Sequence, residues 1–308
     1  MEKIGNRNRE MKGLHCSIGI IVYNEADNIG KLLRAISKQE LQQVVIDKIV
    51  VVSSASSDGT DEIVQELMKE NKKIELITES ERNGKSAAIN KFIKAASSEI
   101  LIIESGDTLP GNDTIEKMVS VFSDEKIGMS GGRPVPENRR SGIVGHLVHI
   151  LWEMHHLMAL RSPKLGEMVA FRNIVESIPS KSAVDEASIE AIMNEKGLKL
   201  KYVEDAIIYN KGPEKILEYI SQRRRIASGH IWLKENQKYN VSSQDSGLMM
   251  RIMWQQFKMR PSEWFYLILA VKVEIICRLL GWWDLKVLKR NPFKWDIAIS
   301  SKTIKREV

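Results

Sequence analysis

The chain has 308 residues, with 46 lysines and arginines against 40 aspartates and glutamates and a formal net charge of +6. Hydrophobic residues make up 43% and charged residues 28% of the sequence, which excludes a wholly disordered chain. The charge is uneven, since residues 1–212 carry 28 basic and 31 acidic side chains whereas residues 213–308 carry 18 and 9. This division predicts two surfaces with different partners, and the basic one suits phosphate-rich substrates, anionic lipid or nucleic acid.

Two cysteines, Cys16 and Cys277, lie far apart in the sequence. Their number and spacing exclude a disulfide scaffold and a cysteine-rich zinc site, and they favour a reducing compartment. Residues 1–15 form a polar N-terminal segment without the apolar core of a signal peptide. The sequence therefore predicts a protein that is exposed to the cytoplasm.

Between residues 16 and 208, short apolar runs rich in isoleucine and valine alternate with amphipathic stretches. The runs predict strands at 16–22, 48–53, 74–78 and 99–104, and the stretches between them predict helices at 27–37, 60–71 and 85–96. Thr60 is the expected N-cap of the second helix. Near-continuous apolar strands separated by helices predict a Rossmann-like, doubly wound α/β domain with a mostly parallel sheet.

After residue 212 this alternation ends, and helices are predicted at 214–233 and 264–283, with a polar loop and the segment 248–259 between them. The second of these helices has roughly the length of a membrane span, but Lys272, Glu274 and Arg278 would be costly at the centre of a bilayer. Because aromatic residues cluster at both of its ends, we expect this helix to lie in the membrane interface. A buried core helix and a true span are the alternatives.

The predicted domain organisation follows from these patterns. An α/β domain occupies residues 16–234, and a helical, basic extension that associates with a membrane surface occupies residues 235–308. A nucleic-acid partner is not expected, because the basic segments flank an apolar helix instead of sharing one groove or sheet with aromatic residues.

Ligands of doubly wound sheets bind beyond the carboxyl ends of the strands, so the loops after the predicted strands are the candidate site. The first strand is followed by Tyr-Asn-Glu at 23–25, and the second by Ser-Ser-Ala-Ser-Ser-Asp-Gly-Thr at 53–60. Gly84 and Lys85 follow the third strand, where backbone amides and an ammonium group could meet an anion. This segment is not the phosphate-binding loop of an NTPase, since that motif needs a glycine where Glu79 stands.

Charged residues further along the chain add to this set. Asp107 follows the fourth strand, where a carboxylate can hold a divalent cation against a diphosphate. Asp185 and Glu186 are neighbouring carboxylates whose pKa values can separate, which leaves one of them as a general base near neutral pH. Gln222 and Arg225 share a helix face, and arginine suits diphosphate recognition. First-turn acids of a helix and a solvated basic face are the structural alternatives for these two motifs.

Four histidines fall in an apolar stretch that predicts a long helix: His146, His149, His155 and His156. No matching carboxylate accompanies them. Their spacing therefore does not predict a metal site.

The order of these motifs along the chain resembles the family-2 glycosyltransferases of GT-A fold. The resemblance covers about residues 17–233 and includes Tyr-Asn-Glu, Ser-Asp-Gly-Thr, Asn-Gly-Lys, an aspartate after the fourth strand, Asp-Glu and Gln-Arg-Arg-Arg. The sequence is most similar to the membrane-associated branch related to cellulose, hyaluronan and poly-N-acetylglucosamine synthases.

The resemblance implies a set of donor-binding residues: Tyr23, Asn24, Glu25, Ser53, Ser54, Asp58, Gly84 and Lys85. Ser53 and Ser54 stand where the family has acidic residues that contact the base, so this contact is altered. Asp107 keeps the second acid of the family's Asp-x-Asp motif, which implies a Mg²⁺ or Mn²⁺ cofactor with Glu104 as a helper.

The resemblance also implies roles for the later motifs. Glu186 occupies the place of the general base, with Asp185 as the second choice. Gln222, Arg224 and Arg225 fall on the diphosphate and acceptor side. Ile226 replaces the tryptophan of the family's Gln-x-x-Arg-Trp motif, which argues against processive polymer synthesis.

The function implied by the resemblance is inverting transfer of a sugar from a nucleotide-sugar donor to an acceptor hydroxyl. The acceptor would be a glycan or a lipid-linked molecule in polysaccharide, glycolipid or lipid-linked glycan synthesis, at the cytoplasmic side of the cell membrane. One alternative is a catalytically silent binding protein, suggested by Ser53, Ser54, Ser105 and Ile226. Another is a sugar nucleotidyltransferase, although residues 23–25 lack the glycine-rich loop typical of that class.

Overall fold

The structure is a computed structural model that describes residues 13–259, 261–290, 299–301 and 306. Most of the predicted N-terminal segment 1–15 and parts of the predicted extension 235–308 lie outside the described residues. Within the described part, residues 14 and 15 already belong to the first strand. The boundary predicted at residue 234 stays a prediction.

The N-terminal half alternates strands and helices as predicted. Its elements are β1 Leu14–Val22, α1 Ala26–Ser37, β2 Val44–Ser54, α2 Thr60–Glu70, β3 Ile74–Glu79, α3 Lys85–Ala95 and β4 Ile100–Ser105. The four strands pair in parallel in the order β3-β2-β1-β4. Parallel strands that are covered on both faces need apolar side chains in both directions, which is why the Ile/Val runs were informative.

The second half of the sheet is mixed. Its elements are β5 Thr108–Pro110, α4 Thr114–Ser120, β6 Ile127–Pro136, α5 Gly142–Ala159, β7 Val169–Arg172, α6 Asp185–Glu195 and β8 Lys199–Asn210. The sheet has the order β3-β2-β1-β4-β7-β6-β8-β5. β7 runs antiparallel to both of its neighbours, β5 runs antiparallel to β8, and β6 and β8 are parallel. The predicted α/β class with a mostly parallel sheet is confirmed.

Two apolar layers cover the sheet. One contains Ile18 and Ile20 of β1 with α1, and the other contains Val50 of β2 with Phe92 of α3. Gly19 lets α3 lie directly on β1, because a Cβ atom there would be 2.3 Å from the Phe92 ring. Phe92 is fully buried, and burial of such a side chain contributes about 1.5–3 kcal/mol to the free energy of unfolding.

Three long helices follow the sheet: α7 Ile216–Asn236, α8 Ser246–Met259 and α9 Trp264–Lys286. α9 packs closely against α7 at Gly281, where a Cβ atom would be 2.7 Å from the Arg224 carbonyl oxygen. The Ser228 hydroxyl donates to the Gly281 carbonyl at 2.9 Å. Among the described residues, no helix combines the length and the apolar content required to cross a membrane.

α9 has one buried and one exposed face. Leu267, Cys277 and Gly281 are buried. The exposed face carries eight large apolar side chains, each 47–66% exposed: Trp264, Phe265, Ile268, Ile275, Ile276, Leu279, Trp282 and Trp283. At 3.6 residues per turn these eight positions fall within about a third of the helix circumference. These eight residues, on a face that also carries the exposed Lys272, are called the apolar stripe.

Candidate active site

A cavity of about 1360 Å³ opens at the edge where the parallel strands end and where α3, α6 and α7 approach. Most of the predicted site residues line it: Tyr23, Glu25, Ser54, Gly84, Lys85, Asp107, Asp185, Glu186, Gln222, Arg224 and Arg225. Asn24, Ser53 and Asp58 do not belong to its lining. The sequence therefore placed most of these side chains at the correct edge, and their individual roles stay predictions.

Asn24 and Asp58 tie two neighbouring loops together. The Asn24 side-chain oxygen accepts from the Ser57 N–H at 2.8 Å, and the Asn24 N–H donates to the Ser56 hydroxyl at 3.1 Å. The Asp58 carboxylate accepts from the Ala26 N–H at 3.1 Å. Burial raises the pKa of Asp58, but hydrogen bonds from Thr60 and from backbone N–H groups outweigh it and hold the pKa below its usual value. Asn24 and Asp58 thus hold the two loops together, and their predicted nucleotide contacts stay predictions.

The helix start in this loop also differs from the prediction. Gly59, with φ of +94°, occupies the N-cap position of α2, and Thr60 is the first helical residue. The Thr60 hydroxyl instead accepts from the Glu25 N–H at 2.8 Å. A left-handed backbone favours glycine, so this turn requires Gly59 and leaves Thr60 to fix the end of β1.

The remaining donor-side residues form one wall of the cavity. The Arg82 guanidinium lies 4.5 Å from the centroid of the Tyr23 ring, and both side chains line the cavity. Ser53 is buried and donates to the Ser56 hydroxyl, and its predicted donor-binding role stays a prediction. Ser54 donates to the Glu79 carboxylate at 2.6 Å. Glu79 therefore places a carboxylate beside the end of β2, where Ser53 and Ser54 stand in place of the acidic residues typical of the family.

The predicted acidic pair meets the predicted Gly-Lys-Ser segment where α3 and α6 begin. The Lys85 ammonium donates to Glu186 Oε1 at 2.7 Å, and the Ser86 hydroxyl donates to Asp185 Oδ1. Gly84 adopts φ of +94° directly before α3, which places Lys85 at the first helical position. The two helix N-termini thus bring a lysine, a serine and two carboxylates together.

The two carboxylates have different pKa values. Burial raises the pKa of Asp185 to about 6, and Glu186 adds to this shift while Lys85 opposes it. For Glu186 the Lys85 charge outweighs burial and holds the pKa below its usual value. Asp185 is 2% exposed, whereas the Glu186 side chain keeps 20% of its surface accessible. Glu186 is therefore the more accessible of the two from the cavity.

A group of oxygen atoms surrounds Asp107. Burial, together with the charges of Asp107 and Glu186, raises the pKa of Glu167 to about 7. The Asn210 side chain is hydrogen-bonded to Glu167, and its Oδ1 atom is buried without a hydrogen-bond partner in the described part of the chain. Asn210 of β8 lies opposite Thr108, the residue after Asp107. Carboxylate and amide oxygens are the ligands that Mg²⁺ and Mn²⁺ prefer, so these residues fit a divalent cation.

The described residues contain no group of three or more histidine, cysteine, aspartate or glutamate side chains that could hold a metal ion. A cation at Asp107 would therefore depend on substrate phosphates in addition to Glu167 and Asn210 for its further ligands, as Mg²⁺ sites commonly do. Glu104 does not line the cavity. It is fully buried, and burial raises its pKa to about 8, so the structure corrects its predicted role as a helper in metal binding.

Three consecutive arginines on α7 point in different directions. Arg225 faces the site, where its charge lowers the pKa values of Asp185 and Glu186. Arg223 donates to Glu274 of α9 at 3.1 Å. Arg224 forms a bidentate pair with Asp284 of α9. This pair directs the Arg224 guanidinium to α9, although Arg224 also lines the cavity, and the diphosphate role predicted for it stays a prediction.

The histidines of α5 do not gather around one point. His146, His149 and His156 are each hydrogen-bonded to a different group, respectively the Gly142 carbonyl, the Asn138 carbonyl and the Tyr202 hydroxyl. His155 lines the cavity, and its Nδ1 atom is buried without a hydrogen-bond partner in the described residues. The sequence prediction had given His155 no role.

The comparisons with known proteins agree with this geometry. A sequence profile of glycosyl transferase family 2 matches residues 17–182, which is more than half of the chain. The chain belongs to glycosyl transferase family 2. The matched region ends just before Asp185 and Glu186. It contains the donor-side motifs of the glycosyltransferase, whereas the acidic pair and the three arginines of α7 lie outside it.

Two curated relatives illustrate the similarity. Glycosyltransferase AglE of Haloferax volcanii is 35% identical over 116 residues, which cover 38% of this chain and 38% of that protein. A poly-beta-1,6-N-acetyl-D-glucosamine synthase of Staphylococcus aureus (strain MSSA476) is 27% identical over 220 residues, which cover 67% of this chain and 52% of that protein. The glycosyltransferase thus spans about half the length, or less, of these curated relatives.

Two solved structures share the fold. The mannosyltransferase PcManGT from Pyrobaculum calidifontis, in complex with GDP-Man and Mn²⁺, has a TM-score of 0.60 at 20% identity and covers 90% of this chain and 81% of its own. Glucosyl-3-phosphoglycerate synthase from Mycobacterium tuberculosis, in complex with Mn²⁺, UDP and glucosyl-3-phosphoglycerate, has a TM-score of 0.52 at 16% identity. The match covers 76% of this chain and 85% of the synthase chain. These likenesses confirm the predicted GT-A fold.

Sequence reasoning missed several residues of this site. Glu167 lies in the loop between α5 and β7, and its φ of +63° marks a turn that the preceding Gly166 could have indicated. Asn210 ends β8, so the strand-end argument would have found it had that strand been predicted. Lys164 lies in the same loop as Glu167 and also lines the cavity, and no motif marked it.

Proposed function

We propose that this family-2 glycosyltransferase moves a sugar from a nucleotide-sugar donor to an acceptor hydroxyl, with inversion at the anomeric carbon. The observation that carries the proposal is the meeting of Lys85, Asp107, Glu186 and Arg225 in one cavity at the carboxyl edge of the sheet. Cations for a diphosphate, a carboxylate for a metal and a carboxylate for a proton are the groups that this reaction requires.

The donor diphosphate would lie between Asp107 and the first turn of α3. A Mg²⁺ or Mn²⁺ ion held by Asp107, with Glu167 and Asn210 as further oxygen ligands, would supply positive charge that stabilises the leaving nucleoside diphosphate. Arg225 of α7 adds positive charge close to the acidic pair. The Mn²⁺ in the complexes of the two similar solved structures supports a divalent cation here.

Glu186 is the proposed general base. Its carboxylate is ionised in the pair with Lys85 and is accessible from the cavity, so it can accept the proton of an attacking hydroxyl. Asp185 holds the start of α3 through Ser86 and is the alternative base. A base on the side opposite the leaving diphosphate gives a single displacement, and a single displacement inverts the anomeric centre.

The acceptor is proposed to be a glycan or a lipid-linked molecule at the cytoplasmic surface of the cell membrane. The apolar stripe of α9 supports this location, because large exposed apolar patches mark membrane or protein interaction sites. Lys272 and Lys286 are exposed on α9, as expected for a helix that contacts anionic lipid. Ile226, in place of a tryptophan, supports non-processive transfer, and no nucleic-acid partner is proposed.

A screen of UDP- and GDP-sugars with glycan and lipid-linked acceptors, with and without Mn²⁺, tests the proposed reaction. We expect sugar transfer that EDTA abolishes, and NMR of the product should show an inverted anomeric configuration. Binding of a nucleotide sugar without turnover across the whole panel would instead support the silent binding protein. Release of pyrophosphate from a nucleoside triphosphate and a sugar phosphate, supplied in a separate reaction, would support the nucleotidyltransferase.

Flotation with vesicles tests the proposed membrane contact. The protein should float with vesicles of mixed phosphatidylcholine and phosphatidylglycerol, and Ile276→Glu on the apolar stripe should reduce the bound fraction at least about five-fold. Ile174→Glu is the matched control, since Ile174 is 41% exposed but lies outside α9. Equal loss in both variants, or no binding by the wild type, would refute the membrane contact and leave the proposed chemistry standing.

A further inference from the structure

The cavity continues beyond the donor side into the helical part of the protein. Between α5, α8 and α9 its lining is mainly apolar and includes Leu151, Trp152, Met249, Met253 and Val271. The whole cavity exceeds the ~300–1,000 Å³ typical of sites for small ligands. It therefore has room for a second ligand beside a nucleotide sugar.

This apolar end reaches the protein surface next to the apolar stripe. Leu217, Met250 and Ile275 line the cavity and are 76%, 66% and 52% exposed. Ile275 belongs to the apolar stripe itself. An apolar chain bound in the cavity would thus extend directly towards the surface that we propose to contact a membrane.

A lysine without a partner lies in the same part of the cavity. Within the described residues, the Lys164 ammonium makes no hydrogen bond and no salt bridge, although it lines the cavity. Burial, together with the charge of Arg223, lowers the pKa of Lys164 to about 8, so the group is still mostly protonated at neutral pH. The side chain is partly exposed in the cavity, and an anionic ligand there would pair with its charge.

Two arginines add to the positive charge around Lys164. Arg223 and Arg278 share the Glu274 carboxylate at 3.1 and 2.9 Å. The charge of Arg223 outweighs burial and lowers the pKa of Glu274 to about 2, so this carboxylate is fully ionised. Glu190, also near Lys164, is only partly ionised, since burial raises its pKa to about 7. Three cations thus face one permanent anion.

His155 provides a second polar group without a partner. Its Nδ1 atom is buried and has no hydrogen-bond partner among the described residues. The ring lies close enough to Lys164 for the lysine charge to disfavour protonation of the histidine. Burial lowers the pKa of His155 to about 3, so the ring is neutral and can donate one hydrogen bond. A lysine and a histidine that both lack partners in one cavity indicate a bound anion.

We infer that Lys164, Arg223, Arg278 and His155 bind the phosphate or diphosphate group of a lipid-linked acceptor whose apolar chain leaves the cavity between α8 and α9. This inference rests on the proposed sugar transfer and names the acceptor class. Glu190 interacts electrostatically with both Lys164 and Glu186, so the anion site lies near the proposed base. The hydroxyl-bearing end of such an acceptor would extend from the anion site towards Glu186.

Isothermal titration with decyl phosphate, below its critical micelle concentration, tests the inference. Inorganic phosphate carries the anion without the alkyl chain, and decyl maltoside carries the alkyl chain without the anion. Together they separate the two contributions to the affinity. Decyl phosphate should bind at least about ten-fold more tightly than either, since it engages both the cationic cluster and the apolar lining. Lys164→Met should weaken decyl phosphate binding about ten- to a hundred-fold and leave decyl maltoside binding unchanged.

Lys126→Met is the matched control, because Lys126 is an exposed lysine outside both the cavity lining and α9, and it should not change decyl phosphate binding. Arg278→Gln is a second variant that should weaken decyl phosphate binding, and thermal melting checks that each variant is folded. UDP and GDP binding with Mn²⁺ should be unchanged in Lys164→Met.

The outcomes distinguish the inference from the proposed reaction. Equal affinity for inorganic phosphate and decyl phosphate would overturn the lipid acceptor, and equal affinity for decyl maltoside would overturn the anion site. Tight nucleotide binding without decyl phosphate binding would overturn the inference alone. Decyl phosphate binding that depends on Lys164, without binding or turnover of any nucleotide sugar, would overturn the proposed reaction alone.

Discussion

The two ends of the cavity satisfy their charged groups in different ways. At the donor end, Lys85 is paired with Glu186, and Asp185 accepts a hydrogen bond from Ser86. At the helical end, Lys164 and His155 lack hydrogen-bond partners within the described residues and lie beside the charged groups of Arg223, Arg278 and Glu274. The lysine and the acidic pair of the donor end are thus bonded within the protein, whereas the helical end leaves a lysine and a histidine for a ligand. Variants that affect one end only can test this division.

Asp107→Asn should have the largest effect. The carboxylate is the proposed metal ligand, so we expect sugar transfer to fall at least about a thousand-fold, measured as product formed with saturating Mn²⁺. Asp113→Asn is the control, because Asp113 pairs with Lys117 at the surface. Decyl phosphate affinity should be unchanged in Asp107→Asn. Loss of binding at both ends would contradict the division of the cavity.

Glu186→Gln should lower kcat about a hundred- to a thousand-fold, because the amide cannot accept the hydroxyl proton. In the wild type, the acidic pair must be ionised, so kcat/KM should rise with pH through about 6, the pKa of Asp185, and level off above it. Lys85→Met should move this acid limb to higher pH, since the Lys85 charge lowers the pKa of both carboxylates. An acid limb that stays in place would exclude the pair as the titrating group.

Arg225→Met and Arg224→Met compare neighbouring residues on one helix. Arg225 faces the donor end, so its loss should lower kcat/KM about ten- to a hundred-fold. Arg224 pairs with Asp284, so its loss should leave transfer nearly unchanged and lower the free energy of unfolding by at most about 1 kcal/mol. An equal loss of kcat/KM in the two variants would support the diphosphate role predicted for Arg224.

Glu104→Gln should have the smallest effect on sugar transfer and should change stability alone. Burial raises the pKa of Glu104 from 4.5 to about 8, so the folded state favours the protonated acid, and the stabilisation present below pH 4.5 is lost as the pH rises to about 8. The glutamine cannot ionise, so at pH 8 it should raise the free energy of unfolding by about 1 kcal/mol or more, with little change at pH 4. Chemical denaturation at both pH values measures this difference.

The N-terminal half of the sheet was predictable because its signals are local. Each predicted strand and helix from residue 16 to 104 is present, with boundaries that differ by at most four residues. Parallel strands buried on both faces show as Ile/Val runs, and the loop motifs follow them directly in sequence. The position of Asp107 at a strand end and of Lys85 at a helix start followed from this local pattern.

The other residues of the site were not predictable in the same way. β7 has only four residues and β5 only three, so neither produces a clear periodic signal. Glu167, Asn210 and Lys164 come from the elements around these short strands. No sequence motif marked them, because their role depends on which strand lies beside which.

The sequence by itself determined the family, the α/β alternation and the edge of the sheet at which Asp107, Asp185 and Glu186 meet. Only the tertiary structure decided which groups these residues contact. Helical spacing separates Arg224 from Arg225, but the sequence does not show that Asp284, 60 residues later, pairs with Arg224. The physical reason is that periodicity reports local hydrogen bonding and burial, whereas charge pairing depends on long-range packing of elements that carry no mutual signal in the sequence.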